Sequence, residues 1–259
     1  KSIYINSIFR PLPIFSMNLG VRLSKYSAYE KTLIDPRVAF KYNPISDLAI
    51  KLSWGNFSQF LYTTNQEEEL LRIVDFWQPI PDGQKPQQSE HYILGAEYWI
   101  SSGNTISIET YYKKYLHLYD LNPLLDPSDV QNTIAVSGIG DAYGFELLYR
   151  LNINNISGWI GYAFSNIVRQ VDFNSDNEIW KDKEIYTAKY NKPHSLIAVL
   201  NYKINEKYDF GMSAIYESGQ TYTAVIGKVH QIGQTNYGSS EQPYNYFGNI
   251  YAKKNGARY

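Results

Sequence analysis

Apolar and other side chains alternate with a period of two along the whole chain. The clearest stretches are residues 17–23 (MNLGVRL), 38–43 (VAFKYN), 48–55 (LAIKLSWG), 92–100 (YILGAEYWI) and 105–113 (TISIETYYK), followed by 143–151, 156–165, 195–204 and 210–217. Each predicts a strand, because alternation sends successive side chains to opposite faces of a pleated backbone, which branched and aromatic residues favour. Short connections, such as 43–47, 101–104, 152–155 and 205–207, carry the Asn, Asp, Gly and Pro of tight turns. They alternate with long ones near 56–91, 114–142, 166–194 and 218–248. The order predicts an antiparallel meander, tightly turned at one rim and with long external loops at the other. Within the first long loop, Thr64 and Glu67 have capping-box spacing ahead of Leu70, Leu71 and Ile73, predicting a short helix that ends before Pro79.

The two faces of these strands differ. One carries residues such as Leu19, Val21, Phe40, Ile50, Leu52, Leu94, Ile108, Phe145, Ile160 and Leu200, without a charge. The other carries Arg22, Lys41, Lys51, Glu97, Glu109, Lys113, Glu146, Arg150, Lys203 and Glu217. A soluble sandwich would turn the clean face into a core and the charges to water. A membrane barrel would turn the clean face to lipid and the charges to a wet lumen. Three features favour the barrel. Several strands extend to the ~9–11 residues needed to cross hydrocarbon at a tilt. Tyrosines of the clean face gather at both strand ends, Tyr42, Tyr98 and Tyr202 at one and Tyr112, Tyr143 and Tyr216 at the other, as two interfacial girdles require. The loop asymmetry matches short periplasmic turns opposite long external loops. In a lumen, Glu97, Glu109, Glu146 and Glu217 are placed to pair across strands with Lys113, Arg150, Lys41 or Lys203.

Composition sharpens this picture. The chain has 259 residues, with 24 basic and 25 acidic side chains and a net charge of −1, which argues against a nucleic-acid partner. The absence of cysteine excludes thiolate catalysis and Cys-ligated metals. Hydrophobic residues make up 44% and charged residues only 19%, which argues against disorder. The 25 tyrosines are the outlier, and the girdles account for part of them. No run of apolar residues is long enough for a membrane-spanning helix, a test that barrels never meet.

No catalytic constellation stands out. His91, His117, His194 and His230 are dispersed, the first and third at strand starts and the others in long loops, and they read as surface histidines. Asp172, Asp176 and Asp182 lack calcium-loop spacing, so no metal site is expected. Gly138 and Gly140 form a lone G-x-G without the third glycine or a βαβ context, which argues against a nucleotide site. Ligand binding points instead to aromatics in the external loops: Tyr62, Trp77, Tyr119, Trp180, Tyr186 and Tyr222, with Tyr237, Tyr244 and Tyr246 beyond them. Such rings stack on sugars or catecholate-type ligands, or pack the loops over a mouth.

The run Asp35-Pro36-Arg37-Val38-Ala39-Phe40-Lys41-Tyr42, followed by Gly55-Asn56-Phe57-Ser58-Gln59, resembles the mid-barrel of TonB-dependent outer-membrane receptors. So do Ser89–Tyr98, Gly140–Glu146 and Ser157–Ser165, in the family's order and spacing, over about residues 14–259. The resemblance implies an all-β, antiparallel up-and-down transmembrane β-barrel segment of about nine to ten strands, part of a 22-stranded barrel around an N-terminal plug. Residues 1–259 would be a partial barrel domain without that plug, and so a fragment of a receptor. The implied function is TonB-coupled import of siderophore-iron, haem, cobalamin or oligosaccharide across the bacterial outer membrane, without enzymatic chemistry or a resident cofactor. Implied partners are outer-membrane lipid, the missing plug and remaining strands, the TonB-type energy transducer acting through the plug, and a surface lipoprotein. A passive porin or structural barrel and a soluble β-rich carbohydrate-binding module are the alternatives.

Overall fold

The computed structural model describes residues 1–27, 29–64, 76–121, 135–171, 185–188, 190–219, 221, 225–232 and 241–247. Its strands in chain order are β1 (Ser2–Leu12), β2 (Phe15–Ser24), β3 (Leu33–Ile45), β4 (Leu48–Gln59), β5 (Leu61–Thr64), β6 (Phe76–Pro79), β7 (Gln87–Ser101) and β8 (Asn104–Leu121). They continue as β9 (Ala135–Ile153), β10 (Ile156–Val171), β11 (Ile185–Thr187), β12 (His194–Lys203), β13 (Asp209–Glu217), β14 (Val225–Ile232) and β15 (Glu241–Phe247). One all-antiparallel sheet follows the path β1-β2-β3-β4-β7-β8-β9-β10-β12-β13, with β11 paired to β10, while β5-β6 and β14-β15 are separate hairpins. All nine alternating segments lie in this path, each paired with its neighbour in sequence order once the β5-β6 hairpin and β11 are set aside.

Short reversals join β1 to β2, β3 to β4, β7 to β8 and β9 to β10 at one rim. In the last of these, Asn154 adopts φ 50°, a left-handed conformation that Asn tolerates and hairpin turns require. At the other rim the ladders run well into the stretches expected as loops. β8 continues to Leu121 and β9 begins at Ala135, within 114–142. β10 reaches Val171, and the loop between β4 and β7 carries the β5-β6 hairpin. Thr64, expected to cap a helix, ends β5 opposite Phe76, and Pro79 lies in β6, so the chain there is extended at both ends. Residues 65–75, where that helix was expected, lie outside the described residues. His117, expected in a loop, is instead a bulge within β8 at φ 55°, where the pairing with β9 shifts register between Leu116 and Leu118.

The cross-strand register fixes the two faces. Arg22 stands opposite Asp35, Lys41 opposite Lys51, Glu97 opposite Ala49, and Glu109 opposite both Gly95 and Glu146. Lys113, Arg150, Lys203 and Glu217 follow in the same phase. The other phase carries no charge along the alternating segments and includes exposed apolar residues, Leu52 at 50%, Leu94 at 51% and Ile108 at 45% of full accessibility. Among the described residues no second layer covers them. The charged face is concave. A hollow of about 380 Å³ spans β1 to β8 on that side and touches Arg10, Lys41, Lys51 and Glu109.

Candidate functional site

At the long-loop rim, β4, the β5-β6 hairpin, β7, β8 and β10 converge on a cavity of about 350 Å³. Aromatic rings dominate its wall, from Tyr62 on β5, Trp77 on β6, Tyr115 and Tyr119 on β8, and Tyr190. Gln59, Thr63, Gln87 and Arg169 supply the polar groups, and no described lining residue is acidic.

The hairpin is anchored before it can shape this wall. The backbone N–H of Ile80 donates to the carbonyl of Phe60 at 3.0 Å, and Gln87 Nε2 donates to the carbonyl of Leu61 at 3.0 Å. The rings of Tyr62 and Tyr119 meet at 5.5 Å between centroids, and with Ile80 they form the buried apolar cluster of this rim. The Tyr119 hydroxyl donates to the carbonyl of Lys85 at 2.7 Å. Burial first, and then the neighbouring Tyr62, push the Tyr119 phenol up to about 12; burial also raises Tyr62. Both phenols are therefore neutral, and Tyr62 and Tyr119 act as a fixed apolar floor. Arg169 Nη2 donates to the Tyr190 hydroxyl at 2.5 Å, and its guanidinium lies 5.3 Å from that ring's centre, so the one cation of the wall is held in place.

Three of the six sequence-designated ligand residues, Tyr62, Trp77 and Tyr119, thus meet at one cavity. Trp77 is the exposed one, at 58%. Tyr62, Tyr119 and Tyr186, expected in wet loops, are buried; Tyr186 pairs opposite Arg169 on β11. Trp180 and Tyr222 lie outside the described residues. Tyr115 and Arg169 were not singled out from the sequence, and Gln59 was noted only as part of the family-like run and not as a ligand residue. Each lies on a strand that continues its alternation beyond the expected end: 109, 111, 113, 115 on β8 and 165, 167, 169 on β10.

On the concave face, the expected charge pairs are replaced by others that the register dictates. Lys51 Nζ meets Glu97 Oε2 at 2.6 Å, and Lys192 meets Glu217 at 2.5 Å. Glu109 and Glu146 face each other across β8 and β9 and, among the described residues, make no ion pair. Like charges directly opposite destabilise a bare sheet.

The family model for "TonB dependent receptor-like, beta-barrel" matches residues 1–257. The chain belongs to the TonB-dependent receptor family. Members of this family are non-catalytic transporters of the bacterial outer membrane, which places the chain there. Among solved structures, the sheet resembles the FrpB iron transporter from Neisseria meningitidis (TM-score 0.60, 15% identity), covering 86% of this chain and 33% of that one. It also resembles the ferric-catecholate import receptor Fiu from E. coli K12 (TM-score 0.61, 12% identity), covering 87% of this chain and 35% of that one. At these identities the likeness is one of fold. The chain spans about a third of the length of these two receptors. No curated protein matches it.

Proposed function

We propose that this segment is part of the wall and outer mouth of a TonB-coupled importer, closed by further strands into a 22-stranded transmembrane barrel around a plug. The observation that carries the reading is the rim cavity, where Tyr62, Trp77 and Tyr119 meet at the long-loop end. A cavity walled by rings, amides and one guanidinium suits a ring-bearing or hydroxyl-rich nutrient, within the classes siderophore–iron, haem, cobalamin or oligosaccharide. The iron and ferric-catecholate functions of the two similar structures put siderophore–iron first among these. In this role the charged face is the lumen wall, and transport needs only binding outside, displacement of the plug and release inward.

Trp77 is the best probe, because it is exposed while its neighbours are structural. Trp77→Ala in the intact receptor is expected to weaken binding of the transported nutrient about tenfold, equivalent to about 1.4 kcal/mol of lost stacking. Titration of the four ligand classes against parent and variant reads it. Equal affinity in both for every ligand that binds would remove the cavity from the account.

A passive porin is the second reading. The opposed pair Glu109 and Glu146 weighs against it, because two carboxylates facing each other are best accommodated by cationic side chains of a segment filling the lumen.

A further inference from the structure

Of the phenols that wall the rim cavity, Tyr115 is the one whose hydroxyl makes no hydrogen bond among the described residues. The Tyr62 hydroxyl donates to Gln78 Oε1 at 3.4 Å, that of Tyr119 donates to the carbonyl of Lys85, and that of Tyr190 accepts from Arg169. The Tyr115 hydroxyl is not sealed from solvent either, so it is spare and reaches the cavity. Tyr115 of β8, Gly140 of β9 and Arg169 of β10 stand directly opposite one another. A Cβ at Gly140 would meet Leu118 Cδ1 at 2.9 Å and the Val168 carbonyl at 3.0 Å. The position therefore stays bare, and β9 puts no side chain between the phenol and the guanidinium.

The phenol is aimed from the lumen side. His91 meets the Tyr115 ring edge-on, at 6.2 Å between centroids and an interplanar angle of 67°. Phe57 packs against His91 at 4.4 Å, and the Arg37 guanidinium lies 4.4 Å from the centre of the Phe57 ring. His91 Nε2 is buried and, among the described residues, has no hydrogen-bond partner, so ring contact is what this side chain supplies. The residues directly opposite Tyr115, Ser89 and Gly140, are too small to hold a ring.

Resting on the reading of this cavity as the nutrient site, we propose that Tyr115 is its specificity-determining residue. The phenol donates a hydrogen bond to an anionic oxygen of the ligand beside the Arg169 guanidinium, and His91 is the positioning residue that aims it. Two donors, with no acid among the described lining residues, suit a carboxylate, phenolate or phosphate oxygen. A site built around such a bond discriminates against a ligand lacking the acceptor more sharply than an apolar wall does. Among the four nutrient classes this sets aside a neutral oligosaccharide.

The test titrates a ferric tris-catecholate, haem, cyanocobalamin and a neutral oligosaccharide against the intact receptor and its variants. The parent is expected to bind one of the first three about tenfold more tightly than the oligosaccharide, and Tyr115→Phe to weaken that ligand about tenfold. His91→Leu should weaken it to a similar degree alone but add little in the Tyr115→Phe background, whereas His91→Phe should keep the parent's affinity. A parent without the preference, undiminished affinity in Tyr115→Phe, or an equal loss from His91→Leu in both backgrounds would overturn the proposal, and the cavity reading stands where Trp77→Ala still weakens binding. A parent that binds none of the four, or Trp77→Ala and Tyr115→Phe both binding as the parent does, would overturn the cavity reading and the proposal together.

Discussion

His117 illustrates how a single residue holds the rim of this sheet. It takes up the extra position of the bulge in β8 at φ 55°, a conformation costly for most side chains and tolerated by Asn, Asp and His. Burial, then the charge of Lys85, hold its imidazole below the usual histidine range. Above the unfolded value of about 6.5 both states are neutral and nothing is lost. As pH falls below it, the unfolded chain takes the proton first, and stability drops until the lower folded value is reached. The thermal midpoint is therefore expected to fall between about pH 7.5 and about pH 5, and to fall less in His117→Asn, which keeps the left-handed backbone without the titrating ring. An unchanged pH dependence in that variant would contradict the assignment. Tyr119, two residues on, does the complementary work: its neutral phenol, bonded to Lys85, keeps the cavity floor uncharged across the physiological range.

At the scale of the element, the nine alternating segments were legible because each keeps its apolar residues in one phase. β1 was not, since Ile3, Ile5 and Phe9 face one way while Tyr4 and Ile8 face the other, which leaves no clean period. The upper parts of β8, β9 and β10 were read as loops because Lys114, Asp141, Asn166 and Gln170 interrupt the apolar phase there, although Leu116, Ile139 and Val168 keep to it and ladder pairing continues. The cavity shared this fate. Its aromatics were recognisable as ring-bearing residues at the external end, but their convergence depends on the β5-β6 hairpin being drawn toward β8, which only tertiary contacts such as Tyr62 on Tyr119 reveal. Ion pairing was misjudged for the same reason: strand phase was legible, relative register was not, and register decides that Glu109 faces Glu146 and not a lysine. Where phase is clear its consequence is testable. Leu94→Arg, on the exposed apolar face, is expected to cost about 2–4 kcal/mol of stability in a bilayer, and Ile93→Arg, one residue away on the concave face, far less. Denaturant unfolding from liposomes reads both.

At the scale of the whole molecule, one transverse row summarises the design: Lys41, Lys51, Gly95, Glu109 and Glu146 follow one another across β3, β4, β7, β8 and β9 on the concave side. Such a row is basic at one end and acidic at the other, and Glu97 neutralises part of the basic end. Its acidic end lacks a partner among the described residues, which fits a lumen filled by a cationic segment. Removing both charges with Glu109→Gln and Glu146→Gln in the intact receptor is expected to loosen that segment and raise the ion conductance of planar bilayers above the parent's. Conductance equal to the parent's would contradict a filled lumen held by these residues. The apolar face is the other half of the design, and on it rests the central claim that this side of the sheet lies in lipid. The aromatic rows through Tyr92 and Tyr98 are six residues apart, about 20 Å along a strand. The chain has no cysteine, so single cysteines can be placed at each position from Tyr92 to Tyr98 and spin-labelled in the liposome-inserted protein. The measurement compares collision with oxygen, which partitions into lipid, against collision with a water-soluble nickel chelate. Oxygen is expected to dominate at Leu94 and Ala96 and nickel at Ile93, Gly95 and Glu97, in strict alternation; uniform access to nickel at all of them would contradict the claim.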